Sequence, residues 1–144
     1  MVVADGHGLP IGLHVASAQP HESRLAESTL ATVKVPQRRG RPRTRPKALV
    51  AGRGYDRQAV HQQLRRRGIK PTIPAFGRRH QHRPKRGRPI RTGPSHRQRW
   101  RIERCFGGMA NCRRLVVRYE RAVEHDQAFG VSASILRCVN LMLT

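Results

Sequence analysis

The apolar positions of the chain alternate at first and then fall into helical spacing. Met1 to Ala4 is a short apolar run, and Asp5-Gly6-His7-Gly8 reads as a turn. From Leu9 to Ser17, Ile11, Leu13 and Val15 alternate with Gly12 and His14, the period of a half-buried strand. The two runs predict a β-hairpin. Asp-Gly is an ordinary turn signal, so Asp5 is read as a turn residue and not as a metal ligand. Leu25, Ala26, Thr29, Leu30 and Val33 then recur at helical spacing, which predicts an amphipathic helix over Glu22 to Val33. Glu22 falls in its first turn, where a negative charge suits the helix dipole.

Residues 34–47 are basic and carry Pro36, Pro42 and Pro46, which forbid a helix. Ala48 to Ala51 is a brief buried-type strand. Asp56 is placed to cap a helix running to about Arg67 and stopping at Gly68, and Ile69 to Pro74 is a further strand. Strand, helix and strand in so short a span make a βαβ unit with parallel strands. A second basic Pro/Gly segment covers 75–94. Ser95 and Gln98 form a capping box that would open a helix with Ile102, Phe106 and Met109 on its apolar face. Asp126 is placed to cap a C-terminal helix with Phe129, Ala133, Leu136, Val139 and Leu143 on one side. The fold class is therefore α/β.

Charge changes the picture more than composition does. The 144 residues carry 30 Lys plus Arg against 8 Asp plus Glu, a formal net charge of +22. Of the basic side chains, 27 lie between residues 34 and 118, where Asp56 and Glu103 are the sole acids. A chain so charged repels itself unless it meets a polyanion, and 26 of its 30 cations are Arg, which suits bidentate phosphate contacts. Nucleic acid is the expected partner. A membrane is not, since no apolar run approaches the roughly 20 residues of a bilayer span. Cys105, Cys112 and Cys138 do not have the spacing of a disulfide framework, and the start of the chain lacks the pattern of a signal peptide. A reducing, cytoplasmic location is expected.

Arg39-Gly40-Arg41-Pro42 recurs as Arg86-Gly87-Arg88-Pro89, and the second copy, within Pro84 to Arg91, resembles an AT-hook. Glycine allows close approach to a groove floor, and the flanking arginines suit a narrow, electronegative minor groove. Arg39, Arg41, Arg86 and Arg88 are thus candidate DNA contacts.

Trp100-Arg101-Ile102-Glu103-Arg104-Cys105-Phe106, followed by Arg113-Arg114-Leu115-Val116-Val117-Arg118-Tyr119-Glu120, resembles the last catalytic segment of bacterial insertion-sequence transposases of the DDE type. Leu49-Val50-Ala51-Gly52-Arg53-Gly54-Tyr55-Asp56 is similar to their second catalytic strand. The resemblance implies an RNase H-like mixed sheet with flanking helices, spanning 1–144 as the C-terminal part of the catalytic domain, with 34–47 and 75–94 as basic loops. It implies a DNA substrate, Mg²⁺ as cofactor, and Glu103 as the third metal-binding carboxylate. It also implies that Arg99, Arg101, Arg104, Arg113, Arg114 and Arg118 contact phosphates or pair with Glu103 and Glu120. Trp100, Phe106 and Leu115 are expected to pack the helix onto the sheet.

The chain departs from the pattern at two of three carboxylates. The second catalytic Asp falls on Gly52, and the strand that carries the first, central in the sheet, precedes the hairpin in the family. Two-metal cleavage needs oxygen ligands on both ions. The expectation is a DNA-binding, catalytically inactive transposase fragment with its first strand missing, partnered by a second copy or a full-length transposase. The alternatives are a small basic non-enzymatic DNA-binding regulator and an RNA-binding protein of ribosomal type.

Overall fold

The computed structural model describes residues 1–75, 94–117 and 119–143, the side chains of Pro94 and Ser95 excepted. The chain divides into two compact units, Met1–Thr44 with Trp100–Thr144, and Arg45–Arg99. The described residues form a mixed α/β protein with two two-stranded sheets.

The first unit is built on the expected hairpin. β1 (Val2–Ala4) pairs antiparallel with β2 (Pro10–Leu13), with Val2 opposite Leu13, Val3 opposite Gly12, and a bulge between Val3 and Ala4. Asp5 makes the turn: its Oδ1 accepts from the backbone N–H of His7 at 2.8 Å and of Leu9 at 2.9 Å, and Gly8 takes φ +86°. Neighbouring residues of β2 point to opposite faces, and each face receives a helix. α1 (Glu22–Ala31) closes on Gly12, where an added Cβ would lie 2.8 Å from Thr32 Oγ1 and 2.9 Å from Val33 Cγ2. Its buried side is Ser23, Ala26, Thr29 and Leu30, continued by Val33, close to the expected face. His21 caps it, Nδ1 accepting from the N–H of Ser23 at 3.2 Å.

The other face of the hairpin receives α3 (Trp100–Met109) and α5 (Val123–Leu143), joined by the short α4 (Arg113–Val116). Cys105, Met109 and Ala133 form the buried centre, with Val2, Ala4, Leu13, Ile102, Cys112 and Leu115 packed around it. Three expectations are corrected here. α3 is entered from a 3-10 segment, Pro94–Arg99, in place of a helix opened by a capping box at Ser95. α5 starts before Asp126, which lies inside its first turn. Its inward face is also turned: Ala133 is buried as expected and Gly130 joins it, whereas Phe129, Leu136, Val139 and Leu143 are exposed. Small residues decide this, because they let the α5 backbone approach the hairpin closely. Gln127 fixes the rotation, its Oε1 accepting from the N–H of Val15 at 3.0 Å and its Nε2 donating to the carbonyl of Leu13 at 3.1 Å.

The segment after α1 is non-helical, as its prolines require. One antiparallel bridge, Val35 with Arg43, closes it into a loop that exposes Arg39 and Arg41.

The second unit is the expected βαβ. β3 (Ala48–Val50) and β4 (Lys70–Thr72) are parallel, linked by a 3-10 turn, Arg53–Tyr55, and α2 (Gln58–Arg66). Val60, Leu64, Ile69 and Ile73 are its buried apolar side chains. α2 ends in a Schellman closure: the N–H of Ile69 donates to the carbonyl of Leu64 and that of Gly68 to Arg65, both at 2.8 Å, with Gly68 at φ +67°. Asp56 does not cap α2. The N-cap position is Arg57, without a side-chain bond, and Asp56 Oδ1 instead meets His61 Nε2 at 2.8 Å.

Candidate nucleic-acid interface and metal position

Glu103 sits on the exposed side of the first turn of α3, because Cys105 and Met109 take the buried side. Its neighbours in sequence are gathered around Trp100. The guanidinium carbons of Arg101 and Arg104 each lie 5.7 Å from the Trp100 ring centroid, within the reach of a cation–π contact. Trp100 keeps 49% of its surface exposed and Phe106 keeps 48%, so neither packs onto the sheet as expected; Leu115 does pack there, against the Cys105 centre. The result is an exposed aromatic flanked by cations.

The second cationic group is on α4. Arg114 Nη1 meets Glu120 Oε1 at 2.8 Å and its guanidinium lies 5.6 Å from the Phe129 ring centroid; Arg113 is exposed beside it. The pairing of Arg114 with Glu120 is one of the two roles expected for it. Arg86, Arg88 and Arg118 lie outside the described residues.

Arg99 belongs to the second unit, at the end of the 3-10 segment Pro94–Arg99, which packs against β3. A Cβ added at Gly52, just beyond β3, would stand 3.4 Å from Arg99 Nη1. Gly52 has φ −73° and ψ 169°, ordinary extended backbone open to any residue. A side chain begun there would make ordinary van der Waals contact with the end of Arg99. Residues 52 and 99 are far apart in sequence, and nothing in its pattern announced their meeting.

The Transposase DDE domain family model matches residues 1–136. The chain belongs to this family. It is similar to a Burkholderia cepacia protein named "Putative transposase for insertion sequence element IS402", 30% identical over 142 residues, which are 98% of this chain and 62% of that relative. The chain thus spans less than two thirds of that relative's length. No solved structure matches it. Membership ties this DDE chain to transposition-related proteins, whose chemistry generally uses divalent metal ions.

The residues described here do not fit such an ion at the end of β3. Hard divalent cations are held in this family by carboxylate oxygens, and Gly52 supplies no side-chain oxygen. Among the described residues, no group of three or more His, Cys, Asp or Glu could hold a metal ion, and no helix is long and apolar enough to cross a membrane.

Proposed function

We propose that this chain binds DNA as a relative of insertion-sequence transposases and does not by itself cleave or join strands. The observation that carries the proposal is Gly52, where the family pattern has an aspartate and this chain has no side chain to offer a metal ion. The charge of +22 supports a nucleic-acid partner, and the exposed Arg39 and Arg41 of the 34–47 loop, Arg99 of the 3-10 segment, Arg104 of α3 and Arg113 and Arg114 of α4, with half-buried Arg101, are the candidate phosphate contacts. Arg86, Arg88 and Arg118 are proposed to contribute on sequence grounds. Glu103 is retained as the single carboxylate of the family's metal set. With this goes the finer fold reading, in which the hairpin and the βαβ unit are parts of one incomplete RNase H-like mixed sheet.

The test has two arms. A labelled duplex should bind with an affinity that falls steeply as salt rises, and at matched salt RNA should bind no better. A supercoiled plasmid or transposon-end substrate should stay uncut in Mg²⁺ or Mn²⁺. Metal-dependent nicking that vanishes in Glu103→Ala would overturn the inactive reading and leave the DNA-binding one standing.

A further inference from the structure

We infer that the loop 36–42 is a minor-groove reader, carrying Arg39 and Arg41 into the narrow groove of A·T-rich duplex DNA. The inference deepens the DNA-binding reading above and rests on it. The loop is closed at its stem by the bridge between Val35 and Arg43, whose two backbone bonds measure 2.9 and 2.8 Å. Val33, two residues before the bridge, is buried beside Gly12 of β2, so the stem is fixed to the body of its unit. Pro36 and Pro42 stand just inside the bridge and restrict the chain there. The chain bends through 38–41, and Gly40 takes φ +88° with nothing within 4 Å of the place where a side chain would begin. The tip thus presents bare backbone between two exposed arginines. Residues 34–47 hold seven Lys and Arg and no acid. The side chains of Arg38, Arg39 and Arg41 have no hydrogen-bond or ion-pair partner among the described residues.

Like charges gathered in a closed loop repel one another, and a polyanion offsets that repulsion. Size and charge decide which face of the duplex the loop meets. A minor groove about 6 Å wide has no room for the stem, since paired strands lie about 4.8 Å apart before their side chains are added. It does admit single guanidiniums from a tip that has no side chain at its centre. Narrow A·T-rich grooves carry an enhanced negative potential that draws arginine in. A guanidinium is more weakly hydrated than an ammonium and sheds its water at lower cost. The groove floor there offers only acceptors, adenine N3 and thymine O2, to a side chain that only donates; at G·C pairs the guanine amino group, itself a donor, stands in the way. The closed stem and the two prolines leave less disorder to be lost on binding. A loop laid in the major groove would instead set its arginines against guanine O6 and N7 and prefer G·C. That contact needs no bare tip, and the bare tip at Gly40 favours the minor groove.

The experiment is fluorescence anisotropy of the full chain with three labelled duplexes of equal length at one ionic strength. One has a central A-tract, one is all G·C, and one carries inosine·cytosine pairs, which keep the major-groove pattern of G·C but lack the minor-groove amino group. The A-tract duplex should bind about fivefold or more tighter than G·C, and the inosine duplex should recover most of that gain. Arg39→Gln and Arg41→Gln should each weaken A-tract binding about five- to tenfold and G·C binding about threefold or less, so that the double variant loses the preference. Replacing both by Lys keeps the charge and should still lose most of it. Arg24→Gln, exposed on α1, removes the same charge away from the loop and should cost about twofold or less on every duplex. Circular dichroism melts of each variant separate lost contacts from lost fold. A preference within about twofold, an inosine duplex that binds as G·C does, or a preference that survives in the double Gln variant would overturn the proposal. A chain that binds no duplex overturns the DNA-binding reading, and this inference with it.

Discussion

Gly130 of α5 and Leu13 of β2 are fitted to each other: a Cβ added at Gly130 would come 2.5 Å from Leu13 Cδ2. The glycine lies in the middle of a 21-residue helix, where the missing side chain costs about 1 kcal/mol of intrinsic stability relative to alanine. Close packing of α5 on the hairpin offsets that cost. Gly130→Ala should therefore destabilise the chain, by up to about 2 kcal/mol net, since overpacking a filled site costs about 1–3 kcal/mol and the helix regains about 1 kcal/mol. In a Leu13→Ala background the same change should be neutral or stabilising, because the methyl then has room. Urea melts of the four-member cycle measure the coupling; additive effects would show that the two side chains do not meet.

The rotation of α5 gives a second prediction. Ala133 is buried against Cys105 and Met109, whereas Ile135, two residues on, is 59% exposed. Ala133→Asp should cost several kcal/mol, since an unpaired charge would be buried, and Ile135→Gln should stay within about 0.5 kcal/mol, as surface changes do. The reverse order in thermal melts would show that Ala133 does not face the hairpin.

That helix shows where the sequence was legible and where it was not. Alternation with Asp-Gly gave the hairpin, and two short apolar runs around a helical pattern ending in glycine gave the βαβ unit, down to the parallel pairing. Both depend on local patterns. α5 misleads because periodicity weighs large apolar side chains, while the fold buries Gly130 beside the expected Ala133, leaves Leu136 and Leu143 exposed and turns a polar Gln127 inward to bond β2. Asp56 has the composition of a cap, yet its carboxylate goes to His61. In the candidate site, Glu103 and its arginines were legible as one stretch of chain. The seating of Arg99 beside Gly52 was not, since only the packing of the Pro94–Arg99 segment on β3 creates it.

The close of α2 supplies a third prediction. Leu64 and Ile69 are each 1% exposed and are joined by the backbone bond that ends the helix. Leu64→Ala removes one of the largest fully buried side chains among the described residues and should cost about 2–5 kcal/mol. Gly68→Ala, at φ +67°, should cost about 1 kcal/mol from left-handed strain alone. Chemical denaturation of both variants checks the order; equal losses would mean that the helix end contributes as much as the core it closes.

Cys105 carries the last prediction. It is fully buried between α3 and α5, and burial pushes its thiol above its ordinary range, with nearby Arg137 opposing the shift and Cys138 adding to it. In the native chain Cys105 should react with iodoacetamide far more slowly than half-buried Cys112 and Cys138, as read by peptide mass spectrometry. The raised value also has a pH signature. Below the unfolded thiol's pKa both states are protonated and the contribution to stability is complete. As pH rises from there towards the folded value, the unfolded chain loses its proton first, so stability falls, by at most about 1.4 kcal/mol per pH unit for one proton. Denaturation midpoints taken across the alkaline range should show this slope in the native chain and a shallower one in Cys105→Ala, whose lower baseline reflects the cavity alone. Parallel slopes in the two proteins would show that the buried thiol does not govern the alkaline limb.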